Sequence, residues 1–362
     1  MKKRIESLEA LRCIAFLCIF VSHLGYDSIS IIGPFGVCVF FILSGFVMTY
    51  SSLGNDKIKD VGIVENFKFA VCKIKRLYPL HIATMLLVLP IIFWDNYLYP
   101  QHLFYIKTVI KMFIHVMLLH SWVPTEGVHF AFNGASWYLS VILFLYFMFP
   151  WIFKKVRKHT GNKSALVQVA ALILIQFLVF VALPAILLPK GANYSKLRTW
   201  FSYINPISRL FDFMIGCNLG YVFFNRKSGY EKKKSMCYTL LELCVLGSIV
   251  FAFAISGSDL VKMLGAKYVS IWTISASLLV YLYAVNRGHI SSISANRFTL
   301  YIAELSSYTF LIHQVVIRYF HMFTSNAKEH DYITHLVVPL LAFLITILLA
   351  NCWRTFEKRK QR

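Results

Sequence analysis

Apolar runs of about 18–25 residues, separated by short clusters of lysine and arginine, set the pattern of this chain. They fall at residues 8–25, 31–50, 77–95, 103–120, 136–153, 165–188, 206–224, 237–256, 268–286, 298–322 and 333–352, eleven in all. Each is near the ~20 residues that a helix needs to cross the hydrocarbon of a bilayer, and no polar connection is longer than about 25 residues. The pattern predicts an all-α polytopic bundle forming one integral-membrane domain over 1–362, with no separate soluble domain. With 58% apolar and only 15% charged residues, an ordinary water-soluble protein is excluded, and any chemistry must take place within or against the membrane.

The net charge of +21 is read first as topology, not as nucleic-acid binding, because cytoplasmic loops of membrane proteins carry an excess of Lys and Arg. The N-terminal tail holds three, the 52–76 connection six, 154–163 five, 226–234 five, 287–297 two and 354–362 five, which is 26 of the 37. If all six lie inside, an even number of crossings must separate neighbours, so one of the three candidates between 76 and 154 does not span. Segment 103–120, with Lys107, Lys111, His115 and His120, is the most polar of them and is expected to be re-entrant or interfacial. The expected topology is ten crossings with both termini cytoplasmic, in the plasma (bacterial inner) membrane.

Met1-Lys2-Lys3-Arg4 resembles a signal-peptide start, but Arg12 interrupts the apolar run and no small-residue cleavage site follows His23, which indicates a retained first helix. The eight cysteines include no C-x-x-C pair and read as packing residues, neither disulfides nor metal ligands. In the 52–76 connection, Phe67, Phe69, Val71 and Ile74 interleave with Lys68, Lys73, Lys75 and Arg76. That is the pattern of a basic interfacial helix touching anionic lipid, or of one that also grips an anionic ligand.

Ionisable side chains inside spans are costly and mark candidate sites. They are Arg12, His23, Arg209, Asp212, Glu242, Glu304, His313 and Arg318. Arg12 and His23 are eleven residues apart, so at ~100° per residue they share a helix face, ~16 Å apart along its axis. This suits an anionic ligand held at one end and a reaction carried out at the other; a buried Arg paired with an acid elsewhere and a His at the lipid boundary fits equally. Arg209 and Asp212 stand at i, i+3 and read as a neutralised structural pair, with Gly216 and Gly220 marking a close helix contact. Glu242 has no local partner.

Taken together, several segments resemble the acyltransferase-3 family of integral-membrane O-acyltransferases. The likeness begins at Ser7-Leu8-Glu9-Ala10-Leu11-Arg12 with His23 after ten intervening residues, similar to the family's Arg-x10-His signature. It continues through Gly36-Val37 and Phe40-Phe41-Ile42-Leu43-Ser44-Gly45-Phe46, then Lys73-Ile74-Lys75-Arg76-Leu77-Tyr78-Pro79 and Ser136-Trp137-Tyr138-Leu139-Ser140. Arg209-Leu210-Phe211-Asp212-Phe213 with Gly216, Ser307-Tyr308-Thr309-Phe310-Leu311-Ile312-His313-Gln314 and Phe356-Glu357-Lys358 complete it, in order over nearly the whole chain. Two positions depart from the family. Val141-Ile142-Leu143 stands where many members have a Glu after Ser-Trp, and Lys73-Ile74-Lys75-Arg76 replaces Arg-x-x-Arg, which keeps charge but loses one planar guanidinium fork.

The resemblance implies transfer of an acyl group, usually acetyl from acetyl-CoA, to a hydroxyl of a cell-surface or lipid-linked carbohydrate, with no metal. Arg12, Lys73, Lys75 and Arg76 are then expected to hold the donor phosphates, with the pantetheine arm running along the first helix toward His23. His23 is the expected general base, since an imidazole with the ordinary pKa near 6.5 is mostly unprotonated at pH 7; an acyl-His intermediate is the variant. Ser44, Ser136, Trp137, Glu304 and His313 are candidate acceptor-lining residues, with Glu304 orienting His23 or a sugar hydroxyl. A partner protein is a further expectation for the pathway, and nucleic acid is not expected as a partner. The competing classes are a transporter or flippase of an anionic or carbohydrate substrate and an acyltransferase-like scaffold that only binds; neither consumes thioester.

Overall fold

A computed structural model describes residues 5–26, 29–53, 62–187, 192–226, 233–258, 261, 270–324 and 332–360. Lys2, Lys3 and Arg4, and most of the basic connection 226–234, lie outside the described residues. Among the described residues there is no strand. The helices are α1 (Glu6–Ser22), α2 (Ile32–Ser52), α3 (Ile63–Ile74), α4 (Tyr78–Leu98), α5 (Phe104–Val116), α6 (Glu126–His129), α7 (Trp137–Val156), α8 (Asn162–Phe177), α9 (Leu183–Leu187), α10 (Ala192–Thr199), α11 (Pro206–Phe224), α12 (Met236–Ser256), α13 (Ser270–Val285), α14 (His289–Ser294), α15 (Arg297–Thr324) and α16 (Tyr332–Lys360). Two π-helical turns, Leu178–Ala182 and Trp200–Ile204, join α8 to α9 and α10 to the run that leads into α11.

Eight helical stretches among the described residues are long and apolar enough to cross a membrane: Ile32–Ser52, Tyr78–Leu98, Gly134–Val156, Asn162–Leu187, Tyr194–Phe224, Met236–Ser256, Arg297–Phe323 and Val337–Lys360. One further apolar helix, α13, is shorter at 16 residues, and α1, at 17, carries Glu6, Glu9 and Arg12. The segment expected not to span contains α5, whose 13 residues reach only ~20 Å at 1.5 Å per residue against a hydrocarbon thickness of ~30 Å.

The centre of the bundle is α1, α2, α11 and α15, which are buried on most sides, while α4, α8, α12 and α16 turn rows of Leu, Ile, Val and Phe outward. Such a continuous apolar exterior is what lipid solvates and water does not. The closest approach is between α2 and α11. Gly216 lies directly on the Ile42 carbonyl and Gly45 on the Phe213 carbonyl, and a β-carbon at Gly220 would stand 2.6 Å from the Phe46 carbonyl oxygen. The close helix contact expected at Gly216 and Gly220 is present, and its physical cause is that only glycine lets the backbones approach this far.

Beside this contact, Arg209 and Asp212 are fully buried and joined at 2.7 Å. Arg209 Nε also donates to the Tyr203 carbonyl at 2.7 Å, and Asp212 accepts from Gln176 at 2.9 Å and from Thr273 at 3.4 Å. The pair thus ties α11 to α8 and α13. Glu242, unpartnered in sequence, is capped at a distance: its carboxylate accepts the N–H groups of Ile290 and Ser291 at 3.0 and 3.3 Å. Helix α3 buries Asn66, Ala70 and Ile74, stacks Phe69 on Phe149 of α7 and leaves Lys68, Lys73 and Lys75 exposed.

Candidate active site

At one end of the bundle, where α3 gives way to α4, a cavity of about 640 Å³ opens among α1, α2, α7, α15 and the end of α16. Its charged lining is Arg12, Lys73, Arg76 and Lys358 against Glu9 and Glu304. Each guanidinium is held by a carboxylate. Arg12 donates to both oxygens of Glu9 at 3.0–3.1 Å, one helical turn away, and keeps a third of its side chain exposed. Arg76 donates to Glu357 at 2.8 Å, the same carboxylate that accepts from the Tyr308 hydroxyl at 2.6 Å, and lies over the Tyr308 ring. Such pairing orients the planar forks while leaving donors for an anion. Glu357 was visible in sequence only as a motif ending; its role as the holder of Arg76 comes from packing of α16 on α15. Lys75 is exposed and does not line the cavity.

Phe40, Tyr138 and Phe310 also line the cavity, with rings 5.0–6.2 Å apart, and Ser44 meets the Tyr138 hydroxyl at 3.4 Å. The His313 imidazole is 5.9 Å from the Phe310 ring, and neither it nor His23 lines the cavity. It stands edge-on to His23 at 5.1 Å, and Phe16 and Phe20 pack against it at 6.0 and 6.2 Å. His23 follows the last turn of α1 and its Nδ1 is 2.8 Å from the Ile19 carbonyl. A carbonyl only accepts, so this hydrogen bond assigns the proton to Nδ1 and leaves the lone pair on Nε2. His313 Nδ1 likewise meets the Thr309 carbonyl at 3.2 Å, and its Nε2 is buried without a hydrogen-bond partner.

Glu304 lines this cavity and pairs with Arg354 at 2.7 Å and Lys358 at 3.6 Å. It is nine residues before His313, ~13 Å along α15, and the side chain beside His23 is His313. Ser136 meets His120 at 3.3 Å, and Trp137 is buried between Phe41 and Tyr203; neither lines the cavity.

Beside the first half of α4 a loop folds back onto α15, and Asn133 donates to the Thr84 hydroxyl at 3.0 Å. Asn133 donates to the Leu311 carbonyl at 2.7 Å, Gln314 accepts from the Ala135 N–H, and Arg318 donates to the Phe132 carbonyl. Under this loop His81, His115 and His120 are stacked face to face, His115 and His120 only 3.9 Å apart, and all three are buried with Nδ1 unpartnered. Burial, and then the charge of neighbouring groups including His81, pushes His115 down to about 4, and burial with the charge of His115 pushes His120 well below the usual range. His81 was not singled out by sequence, since a lone His on an apolar helix carries no signal until the loop is packed on it. Among the described residues no group of His, Cys, Asp or Glu has the arrangement of a metal site.

The family model of the acyltransferase domain matches residues 5–352. Acyltransferase MdmB of Streptomyces mycarofaciens is 27% identical over 241 residues, which cover 59% of this chain and 56% of that protein. The chain thus spans little more than half the length of this curated relative, and no solved structure matches it. With the matched region running from the start of α1 into α16 of a bundle with eight membrane-length apolar helices, this multi-pass membrane protein belongs to the acyltransferase-3 family.

Proposed function

We propose that this protein transfers an acyl group, acetyl in the simplest case, from acyl-CoA to a hydroxyl of a cell-surface or lipid-linked carbohydrate. The observation that supports the reading is a basic cavity whose lining residue Phe310 packs against His313, which in turn stands edge-on to His23. Arg12, Lys73 and Arg76 hold the donor phosphates, with Lys75 adding charge at the mouth. The pantetheine arm passes Ser44 and Tyr138 and delivers the thioester beside His23, ~16 Å along α1 from Arg12. Ten crossings, cytoplasmic termini and a place in the plasma membrane belong to the same reading, with the basic cavity inward.

Neutral His23 Nε2 takes the proton of the acceptor hydroxyl as its oxygen attacks the thioester carbonyl. The C–S bond then breaks, and the imidazolium returns the proton to the departing thiolate, leaving ester and free coenzyme A. His313 holds the His23 ring from the side, and the phenyl rings of Phe16 and Phe20 keep water from the pair.

The test is thioester consumption in membranes, followed as free coenzyme A and as an acetyl-sized mass gain on surface glycan. His23→Ala, matched for protein level, is expected to lose 10²–10⁴ in rate. Full retained transfer would remove the base assignment. Movement of glycan without any covalent change would replace the reading with a transporter.

A further inference from the structure

A second, smaller cavity lies at the far end of α4, where Ile92, Asp95 and Asn96 line it, ~22 Å along the helix from Leu77 in the first cavity. Its volume is about 200 Å³, below the ~300–1,000 Å³ of sites that enclose drug-sized ligands, so it accommodates a headgroup and not an oligosaccharide. The charges facing it are Lys107 and Lys111 of α5 and Arg318 of α15, against one carboxylate, Asp95. Among the described residues neither lysine has a carboxylate at ion-pair distance, and Glu126, next to Gly127 in the chain, pairs with Lys196 at 2.7 Å. Lys111 is half-buried, with its ammonium over Gly127, 3.9 Å from the place of a β-carbon there. Arg318 is fixed through the Phe132 carbonyl. Asn96 and Gln101 add amides to the rim.

The surroundings fix the depth of this cavity. Helix α5 carries its two lysines on one side and exposes Tyr105, Ile106, Val109, Ile110 and Phe113 on the other, the division of a helix that lies in the membrane interface. Exposed Trp94, Tyr97 and Tyr99 stand at the adjoining end of α4, and such aromatics collect at the headgroup level. A cationic pocket at that level meets phosphate before any other anion.

We propose that this cavity binds the phosphate of a lipid-linked sugar and so holds the acyl acceptor at the membrane face opposite the donor. Lys107, Lys111 and Arg318 take the phosphate, while Asp95, Asn96 and Gln101 face the first sugar hydroxyls. That the bound lipid is the acyl acceptor rests on the acyl-transfer reading; that the cavity binds a lipid phosphate does not.

The experiment uses the full chain in zwitterionic phosphatidylcholine nanodiscs, with a polyprenyl phosphate as probe and native mass spectrometry as readout, so no turnover is required. The protein is expected to retain the polyprenyl phosphate, to release the matching polyprenol, and to hold phosphatidylglycerol at least tenfold more weakly. Lys107→Gln/Lys111→Gln should weaken retention at least tenfold, while Lys107→Arg/Lys111→Arg keeps it; acyl-CoA binding should be unchanged in both. Equal retention by the Gln variant would overturn the site. Equal binding of phosphatidylglycerol would reduce it to a contact with bulk lipid and overturn the acceptor assignment. Loss of transfer with retained probe binding would count against the acyl-transfer reading alone.

Discussion

Arg209 and Arg12 are both guanidinium groups on apolar helices, and their surroundings separate them. Arg209 is fully buried with every contact inside the bundle, so Asp212→Ala leaves an uncompensated charge costing about 3–5 kcal/mol; size-exclusion chromatography in detergent is expected to show loss of the monodisperse protein. Arg12 keeps a third of its side chain exposed to the cavity, so Arg12→Lys should leave that profile intact and raise the KM for acyl-CoA. Unchanged donor affinity would make Arg12 structural. The Arg209–Asp212 pair was legible in the sequence because i, i+3 partners meet on any helix. The His23–His313 pair was not, because the two residues are far apart in sequence and only the packing of α1 on α15 brings their rings together. Of the two lining candidates on that helix, Glu304 and His313, it is His313 that stands beside His23. His313→Gln is expected to lower kcat about tenfold or more with donor KM unchanged, whereas a purely structural role would change both with the amount of folded protein.

Helices meet here according to what their glycines permit. Gly216 and Gly220 set the α2–α11 distance, and Gly220→Leu should force the backbones apart, a change that typically costs 1–3 kcal/mol or more and lowers the midpoint of thermal unfolding. The loop between α5 and α7 has a different vulnerability. His115 is held down to about 4 by burial and by the charge of its neighbours, while in the unfolded chain it titrates near 6.5. Between these values the unfolded state binds more protons, so stability falls as pH is lowered through about 6.5 and levels off near 4. Unfolding followed by intrinsic fluorescence should show this slope, and His115→Gln should flatten it. The polar, lysine-bearing character of segment 103–120 was readable, but the return of the following loop onto α15 through Asn133 and Gln314 was not, since those contacts join residues with no periodic relation.

On the scale of the whole molecule, the two charged cavities stand at opposite ends of α4. With exposed native cysteines replaced, Lys73→Cys and Lys107→Cys are expected to react with a membrane-impermeant thiol reagent from opposite faces of the membrane; labelling of both from one face would overturn the topology. Hydrophobic periodicity was by itself enough to determine the helical class and the approximate positions of the long apolar helices among the described residues. Those properties depend on local geometry and on transfer from water to lipid, which are written residue by residue along the chain. Which helices touch, which carboxylate holds Arg76, what stands beside His23 and where Lys107 and Lys111 face were decided only by the tertiary structure. In a bilayer every one of these helices satisfies its own backbone, so the choice of neighbours falls to side-chain packing and buried polar pairs distant in sequence.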